Sequence, residues 1–227
     1  MNPCFNLLIF SLLWVASTEA QEDKTVATTN KKVLQETNMI ALEASKDYDR
    51  GNFTSAEKKY QQLLSITPHD VETLNHLAAV EIHLNKTEET ERLLKESLQQ
   101  KLENPNAWLL LGLNDLQEQR IDEAFAALVQ ATLYDPKNAK AHHYLGIVAG
   151  RKEWHEISEA SLRKAIELDP KYADAHFNLA VYYMRHNPPA IEVARRHYQR
   201  ALDLGAPHDS AMDTIMKRPI EDTKSDF

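Results

Sequence analysis

From about Thr37 to Gly205 the apolar and small positions of this chain return every 34 residues. Bulky residues hold one register at Ile40, Leu74, Trp108, His142 and His176, a second at Leu77, Leu111, Leu145 and Leu179, and a third at Tyr60, Leu94, Leu128 and Leu162. Small residues keep the same step at Ala44, Ala78, Gly112, Gly146 and Ala180, and again at Ala56, Thr90, Ala124 and Ser158. Within each period the spacing is that of helices, and it lapses once near the middle. The lapses fall at Arg50-Gly51-Asn52, Asn85-Lys86, Gln119-Arg120, Arg151-Lys152 and His186-Asn187-Pro188-Pro189. Each period therefore predicts two antiparallel helices joined by a tight turn. Five units follow, over 37–70, 71–104, 105–138, 139–172 and 173–208. The last lapse carries two extra residues, so Ala194, Tyr198 and Ala201 resume the pattern two positions late.

Glycine inside a helix costs about 1 kcal/mol relative to alanine, so Gly112 and Gly146 need a packing reason. The expected reason is close approach of the paired helices, with Gly112 against Ala124 and Gly146 against Ser158. Between units, Asp135-Pro136-Lys137 and Asp169-Pro170-Lys171 stand 34 apart, and Pro68 falls two periods before Pro136; each marks the same turn.

Trp108, Leu111, Gly112, Ala124, Leu128, Ala131 and Pro136, with Leu145, Gly146, Leu162, Ala165 and Pro170, resemble the consensus of the tetratricopeptide repeat (TPR) family. The resemblance covers about three quarters of the chain and is strongest in the third and fourth units. The first unit has Glu43 where a leucine is usual, and the second ends at Asn104-Pro105 without the closing proline. The resemblance implies an all-α, right-handed superhelical solenoid of five helix-turn-helix units. Its concave face is built by the first helix of each unit, a surface on which this family typically binds peptides or other proteins.

On that face one stripe of each first helix packs inward, and a second stripe is expected to line the groove. The second stripe reads Asn106, Leu109, Leu113, Leu116 and Gln117 in the third unit. It reads Lys140, His143, Ile147, Gly150 and Arg151 in the fourth, and Asp174, Phe177, Val181, Met184 and Arg185 in the fifth. Its inner part is apolar and its rim polar, which is the composition of an interaction site for a protein or peptide segment; the alternative is that Leu109, Leu113 and Leu116 are buried between neighbouring units. The first two units offer smaller, more polar residues: Asn38, Ala41, Ser45 and Tyr48, then Glu72, Asn75, Ala79, Ile82 and His83. Some members of the family hold a partner's C-terminal carboxylates with Lys, Asn and Arg. Ala41, Ser45 and His76 stand where the first of those would be expected, which argues against that mode.

The two ends differ from the repeats. Phe5 to Ala16 form an uncharged apolar run, followed by Ser17-Thr18-Glu19-Ala20 and a polar stretch. This reads as a signal peptide over 1–20, cleaved after Ala20, and predicts a secreted or periplasmic protein. The alternative is an uncleaved anchor, although the run is shorter than the roughly 20 apolar residues that span a bilayer. Residues 21–36 read as a polar linker and the start of the first helix. Asp209 or Ser210 can cap a short helix over 209–216 whose Met212, Ile215 and Met216 are expected to close the solenoid, the alternative being a mobile recognition peptide that binds a partner. Residues 217–227 form a polar tail.

The chain holds 26 basic and 34 acidic residues, a net charge of -8, spread without a basic stripe. Lys58-Lys59 follows Glu57, and Arg195-Arg196 lies near Glu192. Nucleic acid is therefore not expected as a partner. The one cysteine, Cys4, lies in the predicted signal, so no disulfide framework exists. Ten histidines raise the question of metal or catalysis. His142 and His176 share a position with Ile40, Leu74 and Trp108, so that position is one of packing. No zinc-protease, phosphate-loop or nucleophile-elbow motif is found, and neither cofactor nor enzymatic activity is expected. Asn52-Phe53-Thr54 and Asn85-Lys86-Thr87 are sequons at inter-helix turns and matter only in a eukaryotic secretory route. The expected function is a non-enzymatic adaptor or scaffold, with a self-assembling structural subunit as the alternative.

Overall fold

A computed structural model describes residues 31–185 and 188–216; the predicted signal, residues 21–30 of the linker, His186-Asn187 and the 217–227 tail lie outside the described residues. Among the described residues the protein is entirely helical. Eleven helices follow one another: α1 (31–49), α2 (Phe53–Ile66), α3 (Val71–His83), α4 (Thr87–Gln100), α5 (Pro105–Gln117), α6 (Ile121–Tyr134), α7 (Ala139–Arg151), α8 (His155–Leu168), α9 (Ala173–Met184), α10 (Ile191–Asp203) and α11 (Ser210–Met216). They form two compact bodies that divide between Leu84 and Asn85.

In the first body α2 packs on α3. Ala44, Ala56 and Ala78 are fully buried, with Tyr60, Leu63, Leu74 and Leu77 beside them in the core. Asp47 on α1 accepts hydrogen bonds from Ser55 Oγ at 2.6 Å and Lys59 Nζ at 2.8 Å, tying α1 to α2. These donors hold the Asp47 carboxyl below its usual range. Tyr48 Oη meets His83 Nε2 at 3.1 Å, and Phe53 stacks on the same imidazole at 4.3 Å, so three rings join α1, α2 and α3.

In the second body each helix from α4 to α10 packs on the next. The first helices of successive units also touch one another, α5 on α7 and α7 on α9, while second helices show no comparable packing among the described residues. First helices therefore gather on one side of this body. Met212 of α11 is 6% exposed and closes a core with Leu162, Leu179, Tyr182, Tyr183, Ala194 and Tyr198. Asp209 caps that helix by accepting from Met212 N at 2.8 Å, and Tyr198 Oη donates to Asp213 at 2.6 Å.

The 34-residue period reaches into the turns. Gly51, Asn85, Gln119 and Glu153 all have positive φ, at 76°, 56°, 59° and 59°. One left-handed residue stands at each break between the two helices of a unit, and glycine is the residue that adopts it without steric cost. Between units the chain uses polar caps. Asp70, Asn104 and Asn138 accept from the backbone N–H three residues on, of Thr73, Ala107 and Ala141. Pro105 then occupies the first turn of α5, where its missing N–H costs nothing. Asp135 and Asp169 accept from Lys137 N and Lys171 N, which fixes the two Asp-Pro-Lys turns.

The bulky register does more than pack. Trp108 Nε1 donates to Leu102 O at 2.8 Å, His142 Nε2 to Pro136 O at 3.1 Å and His176 Nε2 to Pro170 O at 3.3 Å. In each, a ring N–H secures the carbonyl six residues upstream. This gives His142 and His176 a structural employment that matches the tryptophan.

A Cβ placed on Gly112 would lie 2.7 Å from Leu128 Cγ and 3.3 Å from Ala124 O. On Gly146 it would lie 2.7 Å from Leu162 Cγ and 3.1 Å from Ser158 O. The helices of these units thus approach through the glycines, as the sequence predicts, with the leucine as the tightest neighbour. Ser158 Oγ also donates to Gly146 O at 2.8 Å inside the core. Leu128 and Leu162 are at most 2% exposed, a burial worth about 1.5–3 kcal/mol for each side chain.

Candidate functional site

Thirteen of the fifteen predicted stripe residues of units three to five, all but Gly150 and Asp174, fall into three groups. Asn106, Gln117, Lys140, Arg151 and Arg185 are exposed. Leu113, Leu116, Ile147, Phe177, Val181 and Met184 are half-buried, apolar and on the first-helix side of the second body. Leu109 and His143 are 4% and 3% exposed and belong to the interior. Leu109 shares a core with Ala141, Leu145 and Val148 of the next first helix. The two residues occupy the same position of successive units, the fifth, and that position looks towards the following unit. Contact between first helices therefore covers it, and a stripe drawn on one helix alone does not reveal this.

His143 is held by two residues that its own unit does not predict. Asn178 Nδ2 donates to His143 Nε2 at 2.8 Å, which leaves the proton on Nδ1 to be donated to Tyr172 Oη at 3.0 Å. Burial holds the imidazole neutral and lowers its pKa to about 4, and burial likewise raises that of Tyr172. Asn178 Nδ2 also donates to Asp174 O at 2.9 Å.

Directly over Asn178 lies a cleft of about 240 Å³ between α7, α8 and α9. Ile147 and Val181 supply apolar wall, Gly146 and Gly150 let the floor come close, and Arg151 and Arg185 stand at the edge with His155 and Tyr182. Five of the predicted stripe residues, Ile147, Gly150, Arg151, Val181 and Arg185, thus meet in one place. Arg151 Nη1 donates to Gln119 Oε1 at 3.0 Å, and Gln117 likewise donates to Asn85 one unit earlier. The rim of the first-helix side is therefore stitched by amide and guanidinium groups from unit to unit.

The first body has its own cleft, of about 320 Å³. Thr37, Ser45, Asp70, Glu72, Thr73 and His76 supply its polar lining, with Ala41, Tyr60 and Leu63 behind them. Among the described residues no three His, Cys, Asp or Glu side chains converge to hold a metal ion. His176 Nδ1 and His197 Nδ1 are 3.1 Å apart and pair with each other. No described helix is long and apolar enough to cross a membrane.

The comparisons agree with this architecture. Residues 139–172 match the family described as tetratricopeptide repeat, and residues 160–187 match that described as TPR repeat. Anaphase-promoting complex subunit 3 of Schizosaccharomyces pombe is 24% identical over 165 residues. That match covers 73% of this chain and 24% of the relative, so the chain spans about a quarter of the curated relative's length. Among solved structures, the Cut9–Hcn1 hetero-tetramer of the APC/C aligns with a TM-score of 0.71 at 16% identity, over 80% of this chain and 36% of that one. A thermophilic TPR protein of Thermus thermophilus aligns with a TM-score of 0.64 at 19% identity, over 78% and 95%.

Proposed function

Because this chain is a tetratricopeptide repeat protein, we propose that it is a non-enzymatic adaptor or scaffold that holds a segment of a partner protein on the first-helix face of its second body. The carrying observation is the convergence of Ile147, Val181, Arg151 and Arg185 on one cleft. Apolar wall supplies contact area there, and guanidinium groups at the edge fix orientation, the division of labour usual in a recognition site. The half-buried Leu113, Leu116 and Met184 lie on the same side, so an occupant longer than the cleft has further apolar surface to follow.

A photo-crosslinking residue placed at Ile147 tests this against one placed at Leu133, which is 64% exposed on the second helix of its unit. The expectation is that defined protein partners are captured from Ile147 and not from Leu133. Equal capture from both positions, or self-capture alone, removes the adaptor reading and favours self-assembly.

Export belongs to the same proposal. Its support is the apolar run from Phe5 to Ala16 and the small residues before Gln21. Recovery of a chain whose N-terminus is Gln21 from outside the cytoplasm is the expected result; an intact Met1 on cytoplasmic protein overturns it.

A further inference from the structure

The cleft between α7, α8 and α9 carries information about its occupant. Acidic residues outnumber basic ones by 34 to 26 in the chain as a whole. Yet no Asp or Glu lines this cleft, and two arginines do. The first body's cleft has the opposite character, with Asp70 and Glu72 in its wall.

The arginines have a competing structural explanation, since Arg151 ends α7 and Arg185 caps α9. A cation near a helix C-terminus offsets the partial negative charge of the terminal carbonyls, roughly half an elementary charge per helix. Two full positive charges exceed that, and Glu159, the carboxylate that accepts from Tyr182 of the lining, is itself paired with Arg163. Other cations nearby are already engaged. Lys152 is paired with Asp122 and lies over the Trp154 ring. Arg151 spends one of its five N–H donors on Gln119, and among the described residues Arg185 makes no ion pair. Both N–H groups of Asn178 are spent inward, on His143 and Asp174 O, which leaves its carbonyl oxygen to accept an N–H of an occupant.

We propose that the occupant of this cleft is an acidic peptide segment of a partner protein, an apolar side chain seated on Ile147 and Val181 and a neighbouring carboxylate bound by Arg151 and Arg185. This rests on the adaptor reading above and sharpens it. A guanidinium offers a planar donor fork that fits a carboxylate on two bonds, which lysine does not provide. Where the family holds C-terminal carboxylates it does so from other positions of the groove, and Ala41, Ser45 and His76 occupy the first of those here.

The test uses the full chain and short fluorescent peptides in which leucine alternates with glutamate, glutamine or lysine, read by anisotropy. The expected result is preference for the glutamate peptide, binding that weakens as salt rises, and a loss of about tenfold for each of Arg151→Gln and Arg185→Gln. Both arginines are exposed, and circular dichroism checks that the variants remain helical. Ile147→Asp separates the two levels of the proposal. If the peptides bind without regard to charge, and only Ile147→Asp abolishes binding, the acidic assignment falls and the adaptor reading stands. If no peptide binds, or binding ignores all three substitutions, both fall.

Discussion

The clefts of the two bodies are built from the same repeat and differ in nearly every residue that faces solvent. In the first body the wall is hydroxyl and carboxylate, from Thr37, Ser45, Thr73, Asp70 and Glu72. In the second it is apolar side chain and guanidinium, from Ile147, Val181, Arg151 and Arg185. The packing positions scarcely change between them: Ala44, Ala78, Gly112, Gly146 and Ala180 are small throughout, and Ala56, Thr90, Ala124 and Ser158 are buried beneath. A repeat therefore spends its constant positions on stacking and leaves its variable ones to decide what is bound. Family membership identifies the scaffold without identifying the partner.

The largest expected difference is in response to acid, because His143 lies beneath the second body's cleft with both ring nitrogens engaged. Its pKa falls on folding from about 6.5 to about 4. Between those values the unfolded chain takes up a proton that the folded chain refuses, so stability is complete above the upper value and is lost as pH drops through the interval. The loss from this residue is about 2 kcal/mol between pH 7 and pH 5 and roughly 3 kcal/mol by pH 4. Burial also lowers His176 and His197, which adds in the same direction. Urea unfolding of the full chain at pH 7 and pH 5 measures the slope, and His143→Gln is expected to reduce it. A slope unchanged by that substitution would sink the assignment.

Much of the fold was legible because a repeat states its packing rule five times. The small residues, the turns after residues 50, 85 and 119, and the late restart at Ala194, Tyr198 and Ala201 all stand out in the sequence, and those last three are at most 3% exposed. The stripe was only partly legible. Leu109 and His143 were placed on the groove by the amphipathic pattern of one helix, whereas the neighbouring unit covers them. Asn75, at the same position of the second unit, is also buried, at 5% exposure. A leucine, a histidine and an asparagine at one buried position share no hydropathy, so composition could not flag it. Its signal is the spacing of the partners, since Asn178 lies 35 residues after His143 and Tyr172 lies 29 after. The hydrogen bonds of Trp108, His142 and His176 to carbonyls six residues upstream were likewise hidden, because one indole and two imidazoles look alike only once N–H direction is considered.

A second comparison is between units that pack with alanine and those that pack with glycine. In an ordinary helix interior Gly→Ala stabilises by about 1 kcal/mol. At Gly146 the new methyl would lie 2.7 Å from Leu162 Cγ and 3.1 Å from a backbone carbonyl. Overpacking is expected to prevail, with a net loss of about 2 kcal/mol. Gly112→Ala is expected to behave alike, as its Cβ would meet Leu128 at the same distance. In the first body Ala44 is already fully buried, and Ala44→Gly should cost about 1 kcal/mol or more through helix propensity and the lost contact. Thermal melts that rise for Gly146→Ala would mean that the two helices do not approach as closely as described.

The smallest effect lies in the turns, where the bodies differ by one side chain. Gly51 and Glu153 occupy the same left-handed position, with φ of 76° and 59°. Nothing surrounds a Cβ at Gly51 within 4 Å, so Gly51→Ala meets no steric neighbour and its cost comes from backbone conformation alone, about 1 kcal/mol. Glu153→Gly removes that same cost and is expected to stabilise by somewhat less than 1 kcal/mol, because glycine also enlarges the freedom of the unfolded chain. For a chain of this length the melting temperature should move by about 2–3 °C in opposite directions for the two substitutions. If Glu153→Gly instead lowers it, the glutamate contributes more to its turn than its backbone angle subtracts. The equivalence of the four turns, which rests on their shared φ and their 34-residue spacing, would then hold in geometry and not in energy.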